Sequence, residues 1–180
     1  MLTRAPARRT ALKALHWSIL PLFVWFLLVQ PRDVARWGSW AVDLHSVLGL
    51  FFVAMALLWT AMQMRRGLAS RPGPKLRGWA RRVHRPMHLA LVWGLFGVAL
   101  TGFGLGLTSS RLLFAGNVVP IAPPLGLPHA NDIVGVIHSV EFYLLGLLVL
   151  AHAAFHLWRH LALRDNALRI MAPRVLHRFL

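Results

Sequence analysis

The chain has 180 residues, 57% of them hydrophobic, no cysteine, and a formal net charge of +15. That apolar share is too high for a soluble domain of this length, and the lack of cysteine excludes disulfides, thiolate zinc sites, iron–sulfur clusters and thioether-linked haem. Any metal or cofactor must be held by the ten histidines, the methionines or the five acids.

The length suits one domain, residues 1–180. Four apolar runs follow in chain order, roughly over 12–29, 42–64, 87–107 and 133–161. Each approaches or exceeds the ~20 residues that cross a bilayer as a helix. The first contains Pro21, which membrane helices tolerate better than soluble ones. A basic N-terminus precedes this run, as in a signal peptide, but Gln30, Pro31, Arg32 and Asp33 offer no small-x-small cleavage site after it. The third run carries Gly94, Gly97, Gly102, Gly104 and Gly106, small residues that permit close approach of a helix or a porphyrin. The fourth is the longest and must tilt or emerge at one end. Before it, the proline-rich segment 108–132, with Pro120, Pro123, Pro124 and Pro128, reads as an irregular loop.

Charge sets the topology. Arg4, Arg8, Arg9 and Lys13 precede the first run. Arg65, Arg66, Arg71, Lys75, Arg77, Arg81, Arg82 and Arg85 lie between the second and third, and Arg159, Arg164, Arg169, Arg174 and Arg178 close the chain. The other two loops hold only Arg32, Arg36 and Arg111. By the positive-inside rule both termini are cytoplasmic. The expected architecture is therefore all-α, an integral membrane four-helix bundle, multi-pass in a bacterial inner membrane. The net charge is a topology signal and requires no nucleic-acid partner.

Ionisable residues within spans are costly and point to function. His16 falls near the inner face on the first span and His45 near the outer face on the second. On the fourth, His138 is near the outer face and His152 toward the inner one. Depth pairs His16 with His152 and His45 with His138. The fourteen residues between His138 and His152 are almost four turns, so both share one face about 21 Å apart. That leaves room for two stacked porphyrins, one in each half of the bilayer. Each would take two neutral imidazoles as axial ligands of its haem iron, from facing helices. Zinc is a rival for the same donors, but the pairs lack thiolate or carboxylate partners, with Glu141 the only intramembrane acid. A proton relay through the histidines and Glu141 is a further alternative. His88, at the inner start of the third span, is a candidate contact for a haem propionate or a quinone. His84 beside it, and His156 and His160 beyond His152, read first as interfacial groups, and His129 and His177 as solvated ones.

Ordered fragments run along nearly the whole chain: Leu15-His16-Trp17, Leu44-His45-Ser46 with Gly49, Thr101-Gly102, His138 followed by His152-Ala153-Ala154, and the tail Arg164-Asp165-Asn166-Ala167-Leu168 through Met171 and Pro173. In this order and spacing they resemble the bacterial cytochrome b561 family. The resemblance implies a four-helix di-haem cytochrome with two haem b, ligated by His16 and His152 on the inner side and by His45 and His138 on the outer. His88 matches a family histidine. Where the family often has Arg late in the second helix this chain has Trp59, and where an acid often follows the outer ligand of the fourth helix it has Ser139, with Glu141 beyond. The implied function is transmembrane electron transfer in a respiratory chain, as an oxidoreductase. The most concrete form is a superoxide:ubiquinone oxidoreductase, with superoxide taken at the outer face and ubiquinone reduced. The alternatives are a cytochrome b subunit relaying electrons from a partner dehydrogenase or hydrogenase to quinone and, from another class, a haem-free transporter or structural membrane protein.

Overall fold

A computed structural model describes residues 4–29, 31–172 and 174–179, without side-chain detail for 4–9, 31, 32, 35, 42, 174 and 179. Among the features read from sequence, Gln30, Pro173 and the side chains of Arg4, Arg8, Arg9, Arg32 and Arg174 lie outside the described residues.

Helix α1 spans Arg4–Leu28, the short α2 Pro31–Trp37, α3 Ser39–Arg66, α4 Gly78–Thr108 and α5 Pro128–Ala162. Strands β1 (Phe114–Ala115) and β2 (Val119–Pro120) separate α4 from α5, and α6 (Ala167–Met171) with a final 3-10 turn, Arg174–Phe179, closes the chain. Four helices, α1, α3, α4 and α5, are long and apolar enough to cross a membrane. With four such helices, the start of α1 and the end of α5 fall at one end of the bundle, here termed the basic end because Arg65, Arg66, Arg71, Arg77, Arg81, Arg82 and Arg85 are exposed there.

The outward faces explain why these helices need a bilayer. Phe51, Leu57 and Leu58 on α3, and Val136, Val140, Leu144, Leu147, Leu150 and Leu161 on α5, all stand exposed. Contiguous apolar surface of that extent is unstable in water and stable against lipid tails. Tryptophans mark both rims, as amphipathic rings do at membrane interfaces. Trp37 and Trp40 are exposed at one end, Trp17 and Trp79 at the other, where Trp79 packs 5.5 Å from Trp158.

Inside, α4 packs along α5 and α3, and α1 touches both α3 and α5. Small residues set the α4–α5 approach: a Cβ added at Gly94 would meet Leu145 Cδ1 at 2.9 Å. The core is a mid-bundle cluster of Ile19, Phe23, Phe52, Ala56, Leu95, Val98, Ala99 and Leu145. A second cluster, Leu76, Ala80, Met87 and Phe155, seals the basic end.

The elements depart from the sequence reading in several places, among them the early start of α1 at Arg4 and the short α2 between the first two spans. Helix α4 begins nine residues early, at Gly78, because its first turns bury Ala80, His84 and Met87 at the basic end, beside Leu76 and Phe155. Helix α5 begins at Pro128, inside the segment expected to be irregular; proline's fixed φ suits a first helical turn. The same segment contains an antiparallel two-stranded ribbon, with Phe114 opposite Pro120 and Ala115 opposite Val119. In the three-residue connection 116–118, Gly116 and Asn117 both have φ of 58°, and the Val118 N–H bonds the Ala115 carbonyl at 3.3 Å. Gly116 is required twice over, since a Cβ there would also lie 2.9 Å from Val47 Cγ2. The ribbon is pinned to the start of α3: the Gly116 N–H donates to Ser46 Oγ at 3.2 Å and Asn117 Nδ2 to Asp43 Oδ2 at 2.6 Å.

Candidate functional site

The interior is layered along the bundle axis. At the ribbon end, the His45 ring of α3 meets Phe26 of α1 edge-on at 4.9 Å. One layer in, Phe23 of α1 stacks on Phe142 of α5 at 5.0 Å with an interplanar angle of 23°. Toward the basic end, His16 lies 6.2 Å from Trp59 of α3. His16 is also within electrostatic reach of His152 and His156 on α5. Trp59 therefore borders the His16 layer.

His138, one layer outward from Phe142, is held by a hydrogen-bonded network between α4 and α5. Thr101 Oγ1 is 2.9 Å from His138 Nδ1 and 3.0 Å from Glu141 Oε2, and also reaches the Gly97 and Val98 carbonyls. A hydroxyl has one proton to give. With the Glu141 carboxylate as its acceptor, the oxygen accepts the His138 Nδ1–H and leaves Nε2 with a free lone pair. Close approach on the α4 side comes from Gly102, where a Cβ would stand 3.3 Å from His138 Cε1. Gly97 likewise faces the Glu141 carboxylate.

His16, His45 and His152 each have a buried Nδ1 with no hydrogen-bond partner among the described residues. Buried polar atoms are normally paired, and an unpaired one costs free energy. Four half-buried imidazoles, three of them with an Nδ1 that bonds no described group, form a nitrogen-only donor set that suits haem iron. His16 and His152 lie toward the basic end, and His45 and His138 toward the ribbon end.

The family model for prokaryotic cytochrome b561 matches residues 7–174. The chain belongs to the prokaryotic cytochrome b561 family. The match spans all four membrane helices and α6. With membership in the cytochrome b561 family come haem b as the cofactor and electron transfer within a membrane as the role. No curated protein sequence matches the chain.

The remaining histidines depart from the sequence reading. His84, read as interfacial, is completely buried. Its Nε2 lies 3.1 Å from Ser70 Oγ in the α3–α4 linker, and its ring centroid 4.3 Å from that of His88. His156, also read as interfacial, is half-buried with its Nε2 3.3 Å from His88 Nε2. His160 has a buried Nδ1 without a partner among the described residues. His177, read as solvated, is half-buried and bonds the Ala172 carbonyl at 3.2 Å, whereas His129 is exposed as expected. The sequence carried a signal for the His84–His88–His156 grouping in two i, i+4 pairs, His84/His88 and His152/His156. What it lacked was the linker, which folds back and removes His84 from solvent.

Proposed function

We propose that the chain carries electrons across the membrane through two haem b, one held by His16 and His152 and the other by His45 and His138. The observation that carries this reading is the arrangement of α5. His138 and His152 lie fourteen residues apart on one helix face, with His45 and His16 on neighbouring helices at the corresponding ends. Haem b supplies one-electron redox chemistry at an iron whose potential is set by its ligands and surroundings.

The polypeptide does the rest. Neutral imidazoles provide the donors without adding charge to a low-dielectric interior. Thr101 orients His138 by accepting a hydrogen bond from its Nδ1–H while its own hydroxyl donates to Glu141, which raises the basicity of the imidazole. Between the two histidine levels, Phe23, Phe142 and Phe52 fill the interior and exclude water. By the positive-inside rule the basic end faces the cytoplasm, which places the His45/His138 pair near the opposite face of an inner membrane.

For donor and acceptor we propose superoxide at the outer face and ubiquinone as the electron sink. The whole chain acts as one membrane cytochrome domain. The ribbon end carries Arg36 and Arg111 against Asp33, Asp132 and an Asp43 engaged by Asn117, so the described charges there give no net attraction for an anion and the superoxide reading rests on the family resemblance. A visible spectrum with a pyridine haemochrome assay tests the cofactor: two haem b per chain are expected, and a haem-replete preparation with no Soret band would refute the reading. Stopped-flow mixing of the oxidised protein with superoxide tests the donor. Haem reduction must exceed the spontaneous dismutation background. Failure there, together with co-purification of a large dehydrogenase or hydrogenase, would instead identify a relay subunit.

A further inference from the structure

At the basic end, His84 and His88 on α4 and His156 on α5 each offer a ring nitrogen, all lying within 4.8 Å of one another. We propose that these three histidines form a separate binding site for a divalent first-row transition ion of the zinc type, outside the proposed haem ligand set.

Three features of the cluster carry the inference. The first is spacing. Imidazole nitrogens bound to zinc at 2.0–2.1 Å in tetrahedral geometry stand roughly 3.3 Å apart, and His88 Nε2 and His156 Nε2 face each other at 3.3 Å. That separation is long for an N–H···N hydrogen bond. The second is tautomer. His88 Nδ1 is 2.6 Å from the His84 carbonyl, which can only accept, so the proton is on Nδ1 and the Nε2 lone pair points at His156. A ligating histidine whose other nitrogen donates to a backbone carbonyl is the usual arrangement at a metal. The third is His84. Its Nε2 is engaged by Ser70 at 3.1 Å, while its Nδ1 is buried with no partner among the described residues. With Nε2–H donating to the Ser70 hydroxyl, the buried Nδ1 keeps a lone pair that an ion can take.

The electrostatic surroundings are compatible. The Arg159 charge acts on all three histidines, but it is matched by Asp165, whose Oδ2 is 2.6 Å from the guanidinium Nη2 and 2.8 Å from Nε. Leu76, Met87 and Phe155 close the apolar side. Three neutral imidazoles leave one tetrahedral position for water or another small ligand. Three imidazoles without a carboxylate or thiolate favour zinc, copper or nickel over magnesium or calcium. His152 packs 4.9 Å from His88 and 4.5 Å from His156, so the site would border the inner haem level.

The test uses the full chain with its haems in detergent, stripped with chelator, exposed to zinc sulfate and gel-filtered. Elemental analysis should find one zinc per chain beside the haem iron, and X-ray absorption at the zinc edge should show three imidazoles at about 2.0 Å. His84→Gln and His156→Gln should each weaken zinc binding at least tenfold and leave the haemochrome count unchanged. Substoichiometric zinc in the unaltered protein, a zinc shell without three imidazoles, or equal zinc retention in both variants would overturn the proposal. So would loss of haem with zinc binding intact, which would assign the cluster to the haem site. The haem reading is scored separately by the Soret band, so either proposal can fail without the other.

Discussion

The Thr101 hydroxyl on α4 lies 2.9 Å from Nδ1 of His138 on α5, and the same oxygen reaches the Glu141 carboxylate at 3.0 Å. This relay couples the proposed outer ligand to the only acid deep within the spans. Electron donation through the Nδ1 proton favours the oxidised iron. Thr101→Val should therefore retain both haems and raise the midpoint potential of the outer one. One net hydrogen bond, about 1 kcal/mol, corresponds to a shift on the order of 40 mV for a one-electron couple. A spectroelectrochemical titration reads it; an unchanged outer potential would mean that the hydroxyl does not tune the ligand.

Axial ligation itself is tested by truncation. His138→Ala should lose the outer haem and keep much of the inner one, and His16→Ala should do the reverse, each halving the pyridine haemochrome count. Loss of both haems from either change would show that the pairing, or the independence of the two sites, is wrong.

Gly102 gives a test that leaves every donor in place. Its missing Cβ would stand 3.3 Å from His138 Cε1, tighter than ordinary contact. Gly102→Val adds bulk on that side and must push the imidazole aside, since overpacking costs about 1–3 kcal/mol. The expected outcome is selective loss or weakening of the outer haem, read as a changed low-spin spectrum with the inner signal intact.

At the basic end, Arg159 and Asp165 are 2% and 4% exposed. Asp165→Asn leaves a buried guanidinium unpaired, a cost of about 3–5 kcal/mol. The melting temperature in detergent, followed by tryptophan fluorescence, should fall on the order of 10 °C. Replacing exposed Arg164 by Gln should leave it nearly unchanged, because that side chain is already in water.

The C-terminal tail docks on α1, with Trp17 Nε1 donating to the Met171 carbonyl at 2.8 Å and Lys13 Nζ to that of Ala172 at 3.1 Å. Trp17→Phe keeps the ring bulk and removes one donor. Limited proteolysis of detergent-solubilised protein should then cut near Arg169 several-fold faster, with the transmembrane helices protected as before.

The four spans were legible from the sequence because membrane insertion depends on local composition: some twenty apolar residues in a row suffice wherever the rest of the chain goes. The family resemblance was legible for a related reason, since the fragments around His16, His45, Thr101 and His138 keep their order and spacing along the chain, and the match over residues 7–174 agrees with it. The i, i+14 relation of His138 and His152 follows from helix geometry alone. What depended on segments folding back was not legible. The ribbon at 114–120 needs Ser46 and Asp43 of α3 to pin it. The early start of α4 needs the basic-end cluster to shelter its first turns. His84 shows the difference most plainly: beside arginines in the sequence it resembles an interfacial residue, yet Ser70, Phe155 and Arg159 enclose it. Composition and periodicity decided which segments cross the membrane and which histidines share a helix face. Only the tertiary structure decided which side chains meet across helices, because burial and hydrogen bonding there are set by partners tens of residues away.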